Sequence, residues 1–297
     1  MRPQFSWNLG TRSLSLGQRT LVMGIVNVTP DSFSDGGLYL DSSRAVEHAL
    51  RLLDEGADIV DVGGESTRPG AKAEAVSAQQ ELDRVLPAIE KVKRARPDAI
   101  ISVDTYKATV ARACIEAGAE IVNDVSGGLW DEAMLPALAT LQCGVILMHM
   151  RGRPEEWRAL PPIGDAVAVV KQGLQERVQA ALRVGIDPAR TMLDPGFGFG
   201  KSFDENYPLL ACFDQLLDLG HPLLAGVSRK SFVGRTLARG TGDARVAPEL
   251  APVSERLHGT LAAETALVLK GAHIIRTHDV RACVDAVRIA DAILAAT

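Results

Sequence analysis

Eight short apolar runs in this chain each lead into side chains equipped for chemistry. Asn27 closes the first and is followed by Thr29-Pro30-Asp31-Ser32-Phe33-Ser34-Asp35-Gly36-Gly37, and the second leads into Gly64-Glu65-Ser66-Thr67-Arg68-Pro69-Gly70. After the others come Asp104, Asn123-Asp124, Met148-His149, Asp194-Pro195-Gly196-Phe197-Gly198-Phe199-Gly200-Lys201, Ser228-Arg229-Lys230 and Arg276-Thr277-His278-Asp279. Carboxylates and carboxamides take several hydrogen bonds at once, and an arginine fork matches a planar or phosphate anion. There is no GxSxG, no HExxH and no cysteine with a partnered histidine, so neither nucleophilic hydrolysis nor zinc chemistry is indicated. Glycines at 196, 198 and 200 let the backbone approach a ligand and put Phe197 and Phe199 on opposite sides, one toward the core, without the spacing of a Walker loop. A lone aspartate after a strand caps a helix as readily as it binds a ligand. Eight run ends behaving alike are harder to dismiss.

Such ends need a scaffold that gathers them. The apolar runs are 21–28, 58–62, 99–103, 120–125, 144–148, 191–193, 222–227 and 272–275, short, rich in β-branched residues and not strictly alternating. That pattern predicts strands of a parallel sheet covered on its outer face. Between them, helical spacing predicts helices over 42–55, 79–95, 108–117, 165–184, 205–219, 254–270 and 280–295, several closed by a glycine such as Gly118 or Gly220. Eight strand runs alternating with helices of this kind predict a single (β/α)8 TIM barrel, whose active site lies at the C-terminal ends of its strands. An open doubly wound sheet also fits, because periodicity does not show closure. Residues 1–20 fall outside the repeat and are expected to form an N-terminal extension, a short hairpin plugging the barrel bottom, ahead of one domain over 21–297. Residues 239–252, with Gly, Pro and mixed charge, look like an insertion after the seventh strand.

Composition narrows the function classes. Thirty-two basic against 37 acidic residues give a formal charge of −5, which argues against nucleic acid or an anionic membrane as partner. No apolar run reaches the roughly 18 residues of a membrane span. Four cysteines, Cys114, Cys143, Cys212 and Cys283, are widely spaced and read as reduced thiols, and the first ten residues lack signal-peptide character, so a cytoplasmic protein is expected. An anionic ligand would need positive charge gathered locally.

The same segments resemble a known family. MGIVNVTPDSFSDGG at 23–37, GGESTRPGA at 63–71, SVDTYK at 102–107, NDVSGG at 123–128, LMHM at 147–150, LDPGFGFGK at 193–201, SRKSF at 228–232 and RTHD at 276–279 are similar, in order, to dihydropteroate synthases. The resemblance implies condensation of (7,8-dihydropterin-6-yl)methyl diphosphate with 4-aminobenzoate to 7,8-dihydropteroate and diphosphate, in folate synthesis. It implies Mg²⁺ bridging the diphosphate, with Asn27 as its protein ligand through the side-chain oxygen. The alternative for Asn27 is a turn residue opening the Thr-Pro-Asp loop.

A departing diphosphate must be neutralised, and Arg68, Arg276 and His278 are the candidate cations, with Thr67 as a further donor. The pterin carries a donor and acceptor edge; Asp194 is the expected acceptor, with Asp104 and Asn123 completing recognition. By resemblance Lys230 donates to ring acceptors, and Arg276 stacks on the ring while reaching the phosphates. Met148 either lines this pocket or fills the barrel core. The 4-aminobenzoate pocket is expected from Phe33, Thr67, Pro69, Phe199, Ser228 and Lys230. The loops over 28–38 and 64–72 would close over the diphosphate and exclude water. Asn27, Arg68, Asp104, Lys230, Arg276 and His278 are thus the expected catalytic set, Asp104 steadying positive charge on the pterin-methyl group, while the parts of Asp31 and Asp35 stay open. A pterin-binding methyltransferase would have no use for a diphosphate clamp. Dimerisation through the last two helices is expected from the resemblance.

Overall fold

The computed structural model describes residues 2–28, 38–65, 76–238 and 249–296. Two strands, β1 (Phe5–Asn8) and β2 (Ser13–Leu16), pair antiparallel as a hairpin, with Phe5 opposite Leu16 and Asn8 opposite Ser13. Eight parallel strands follow: β3 (Leu21–Asn27), β4 (Ile59–Gly63), β5 (Ile100–Asp104), β6 (Ile121–Asp124), β7 (Gly144–Met148), β8 (Thr191–Asp194), β9 (Leu224–Ala225) and β10 (Ile274–Thr277). They run β8-β7-β6-β5-β4-β3-β10-β9. A parallel bridge between Leu193 and Leu223, with Leu193 N–H donating to Pro222 O at 3.0 Å, joins the two ends. The sheet is therefore a nearly closed barrel, and the open doubly wound alternative falls.

Every residue of β4, β6, β7 and β8 is buried, which explains why their sequences are continuous apolar runs rather than alternating ones. Outside lie α1 (Leu38–Asp54), α2 (Ala78–Ala95), α3 (Ala108–Glu116), α4 (Met134–Thr140), α5 (Ala166–Arg183), α6 (Asn206–Ala211), α7 (Ser231–Thr236), α8 (Leu257–Leu269) and α9 (Val280–Ala295). The entry to α2 is a capping box, Ser77 accepting from Gln80 N–H while the Gln80 side chain accepts from Ser77 N–H. Its buried face is Glu81, Val85, Ala88, Ile89 and Val92, the spacing of one helical stripe against the barrel.

Trp7, Leu9 and Leu16 of the hairpin region are fully buried against Met23, Ile59, Ile121, Ile146, Met192, Leu224 and Ile274 inside the lower barrel. Trp7 Nε1 donates to Arg190 O at 2.8 Å, satisfying the indole's polar atom within that apolar cluster. Gly144 makes the fit possible: a Cβ there would lie 2.5 Å from Leu9 and 3.0 Å from the Trp7 ring.

Three departures from the expected elements have local causes. The helix expected over 205–219 breaks at Cys212 into α6 and a 3₁₀ turn, Phe213–Leu219. Phe213, Leu216 and Leu219 recur every third residue, which suits the three-residue period of a 3₁₀ turn better than 3.6. Only Leu224–Ala225 of the run 222–227 pairs regularly, since β9 sits where the barrel closes. Helices α4 and α7, of 7 and 6 residues, are too short to show a period. Of the insertion at 239–252, residues 239–248 lie outside the described residues.

Candidate active site

Asn27, Asp104, Asn123, Met148 and Asp194 stand at or near the C-terminal ends of β3, β5, β6, β7 and β8. Ser228 and Lys230 follow β9, while Arg276 lies within β10 and His278 just beyond it. Strand register puts Asn27 level with Gly63, Gly63 with Asp104, Asp104 with Asn123, and Met148 with Asp194. One mouth of the barrel therefore gathers residues more than 200 positions apart in sequence, as Asp61 and Arg276 are by 215.

The centre of the site is an ionic fork. Arg276 Nε donates to Asp61 Oδ2 at 2.6 Å and Nη2 to Asp104 Oδ2 at 2.6 Å. Asn123 Nδ2 donates to the same Asp61 oxygen at 3.1 Å. Burial works against the Arg276 charge, but Asp61 and Asp104 outweigh it and hold the guanidinium firmly protonated. For Asp104 burial pushes the carboxyl up, Arg276 pulls it down and Asp61 adds repulsion, the net direction being upward. Asp61 ends no strand but lies in the middle of the run IVDVG, where a charge inside an apolar run is the sequence signal of its role.

Asp194 and Lys230 form the second group. Asp194 Oδ1 accepts from Gly196 N–H at 2.7 Å, and burial raises its pKa against the opposing charge of Lys230. Lys230 is pushed down to about 7 by burial, with Asp194 opposing. Its ammonium donates to Phe197 O and lies 4.4 Å from the centre of the Phe199 ring. Phe197 is fully buried against Phe213 and Phe232, while Phe199 meets Trp157 edge-on and joins Met148, Met150, Val125, Tyr106 and Trp130 in an apolar wall. Met148 thus belongs to a small cluster at the mouth rather than to the main core.

The glycine-rich loop between these groups is held from behind. Lys201 Nζ donates to Gly196 O at 2.8 Å, Phe199 O at 3.2 Å and His149 O at 3.3 Å, so a buried ammonium spends its three donors on backbone carbonyls. Glycine is required at 196, where a Cβ would lie 2.0 Å from His149 O with φ at +64°. Ser228 Oγ accepts from His278 N–H at 3.1 Å and lies 3.0 Å from His278 Nδ1, so one hydroxyl ties down both the backbone and the ring of His278. Arg229, between Ser228 and Lys230, has φ at +58° and pairs with Asp279, a constraint that no sequence motif announced. Phe33, Thr67, Arg68, Pro69, Asp31 and Asp35 lie outside the described residues.

Among the described residues no group of three His, Cys, Asp or Glu side chains could hold a metal. Asn27 offers one neutral oxygen at the end of β3. That donor set does not suit a resident metal cage, but it fits a Mg²⁺ whose other ligands are phosphate oxygens and water.

Residues 23–278 match the pterin binding enzyme family. The dihydropteroate synthase of Escherichia coli is 45% identical over 275 residues, 93% of this chain and 92% of that one. A Xanthomonas albilineans dihydropteroate synthase structure with 4-aminobenzoic acid superposes with a TM-score of 0.86, at 44% identity and 99% coverage of both chains. Another, in complex with 7,8-dihydropteroate, gives a TM-score of 0.80 at 43% identity, covering 95% of this chain and 96% of that one. The chain belongs to the dihydropteroate synthases, within the pterin binding enzymes.

Proposed function

We propose that this enzyme condenses (7,8-dihydropterin-6-yl)methyl diphosphate with 4-aminobenzoate, forming 7,8-dihydropteroate and diphosphate for folate synthesis. The observation that carries the reading is the convergence of Asp194, Lys230, Asp104, Asn123 and Arg276 on one barrel mouth. Asp194 accepts from the amino-pyrimidine edge of the pterin, and Asn123 and Asp104 take its remaining polar atoms. Lys230 donates to ring acceptors from its place beside Phe199, which with Ser228 faces 4-aminobenzoate.

Bond breaking at the pterin methylene puts negative charge on the departing diphosphate and positive charge on the pterin-methyl group. Arg276 and His278 meet the first, with Arg68 and Thr67 as the further donors expected there, and the Asp104 carboxylate steadies the second. The weakly basic arylamine then attacks carbon as the bond to diphosphate breaks, and the acidic arylammonium so formed gives its proton to the departing diphosphate, so no dedicated base is needed. An apolar pocket, to which Phe33 and Pro69 are expected to belong, keeps water from that carbon. When bound, Mg²⁺ supplies charge neutralisation at the diphosphate, held by Asn27.

The direct test incubates purified protein with both substrates and Mg²⁺ and follows dihydropteroate and diphosphate. Failure to form either would remove the assignment. Asn27→Ala should cut turnover about 10- to 100-fold at limiting Mg²⁺ and recover part of it at high Mg²⁺. A variant with the wild-type Mg²⁺ dependence would take Asn27 out of the metal site.

The enzyme works in the cytoplasm as a homodimer in this reading. None of its described helices is long and apolar enough to cross a membrane, and the four cysteines are free. On α8 and α9 the outward side chains Leu269, Ile289 and Ile293 are 40%, 65% and 48% exposed, an apolar face suited to a second copy. Light scattering coupled to size exclusion should report twice the chain mass of 31.7 kDa, and charged substitutions at Ile289 and Ile293 should halve it. A wild-type mass of one chain contradicts the dimer.

A further inference from the structure

Asp61 sits one layer below the mouth, inside the barrel, on a strand whose other inward residue below it is Ile59. Its side chain is fully buried. An apolar residue there would continue the packing that Met23, Ile59, Ile121 and Ile146 provide, and a buried ion pair is seldom a gain in stability over such packing. The carboxylate also satisfies itself poorly. Oδ2 takes both donors, from Arg276 Nε and Asn123 Nδ2, while Oδ1 is buried with no hydrogen-bond partner. What this arrangement achieves is orientation. Arg276 anchored at Nε by Asp61 and at Nη2 by Asp104 has its guanidinium plane fixed, and the Asn123 carboxamide is fixed by the same oxygen.

We propose that Asp61 is a positioning residue for the condensation: it sets the Arg276 guanidinium and the Asn123 carboxamide in the orientations in which they meet the pterin diphosphate, without touching the substrate itself. It also supplies a second counter-charge, so that Arg276 is not committed to Asp104 alone. The proposal rests on the synthase reading given above. Misplacing a binding group by about an ångström is worth about 100-fold in rate, which sets the scale of the expected effect.

The experiment compares Asp61→Ala and Asp61→Asn in the wild-type and Arg276→Lys backgrounds, with steady-state kinetics in both substrates. Asp61→Ala should lower kcat/KM for the pterin diphosphate about 100-fold and leave KM for 4-aminobenzoate within about 3-fold. Asp61→Asn keeps one carbonyl oxygen able to accept both donors, so its loss should be nearer about 10-fold. Lysine cannot form the fork, so in the Arg276→Lys background the Asp61→Ala effect should shrink to about 10-fold, the remainder acting through Asn123. A folded Asp61→Ala protein with wild-type kinetics overturns the proposal, and so does an equal loss in both backgrounds, which would mark Asp61 as a residue of the fold only. Should Asp61→Ala not fold, Asp61→Asn carries the comparison: a smaller loss in the Arg276→Lys background supports it and an equal loss overturns it. If the wild-type protein makes no dihydropteroate, the synthase reading fails instead, so the two failures are distinguishable.

Discussion

Arg276→Ala should lower kcat/KM for the pterin diphosphate on the order of 10³-fold, the scale seen when a preorganised donor to a developing anion is removed. The guanidinium is the only arginine among the described residues shown paired to Asp61 and Asp104, and in the proposed mechanism it is the group that meets the leaving diphosphate. Its removal has a second consequence. Asp104, already pushed up by burial, loses the charge that pulls it down and takes up a proton in the folded protein still more readily than in the unfolded chain. A folded-state carboxyl pKa raised above its unfolded value destabilises the fold as pH rises past the unfolded value, near 4. The variant should therefore match the wild type in thermal unfolding near pH 4 and fall increasingly behind toward pH 8. Steady-state kinetics at neutral pH and unfolding scans across that range check both halves. Wild-type kcat/KM in the folded variant would sink the role of Arg276 at the diphosphate.

Which parts of this molecule could be read from sequence follows from where the information sits. Asp104 and Asp194 end their strands and Asn123 stands next to the end of its own, so an apolar run followed by polar residues marks them, and the parallel barrel carries them to one face. Asp61 interrupts its strand instead, and its meaning depends on Arg276, 215 residues away. No local pattern contains that pairing. Lys201 shows the same limit from another side: three carbonyls on two segments converge on it, an arrangement that no local pattern contains. The net charge of −5 conceals how charge is arranged in the site. The site is not a bare basic patch but a matched set in which Arg276, Lys230 and Lys201 face Asp61, Asp104 and Asp194. Net charge could not reveal such a site, because opposite charges a few ångströms apart cancel in the sum while leaving strong local directionality.

Asp194→Asn should be nearly as damaging as loss of Arg276, through ground-state and transition-state binding alike. The substitution preserves shape, and the remaining carboxamide oxygen can still accept from Gly196 N–H, now 2.7 Å from Oδ1. What changes is the other atom, which turns from an acceptor into an NH₂ donor aimed at the donor edge of the pterin. A site built to pair with a polar edge rejects a mismatched partner strongly, because both sides are then desolvated and unpaired. We expect kcat/KM for the pterin diphosphate to fall on the order of 10³-fold, mostly as a raised KM, with KM for 4-aminobenzoate within about 3-fold. The variant also removes a negative charge that supports the Lys230 ammonium. Lys230 already sits down at about 7, with Asp194 the principal group opposing that shift, so its pKa should fall further. If the reaction needs Lys230 protonated as a donor, the alkaline limb of kcat/KM moves to lower pH in Asp194→Asn. A KM for the pterin diphosphate within a few fold of wild type would show that the pterin edge is read elsewhere, and an unmoved alkaline limb would separate Lys230 from the pterin acceptors even if Asp194 kept its place.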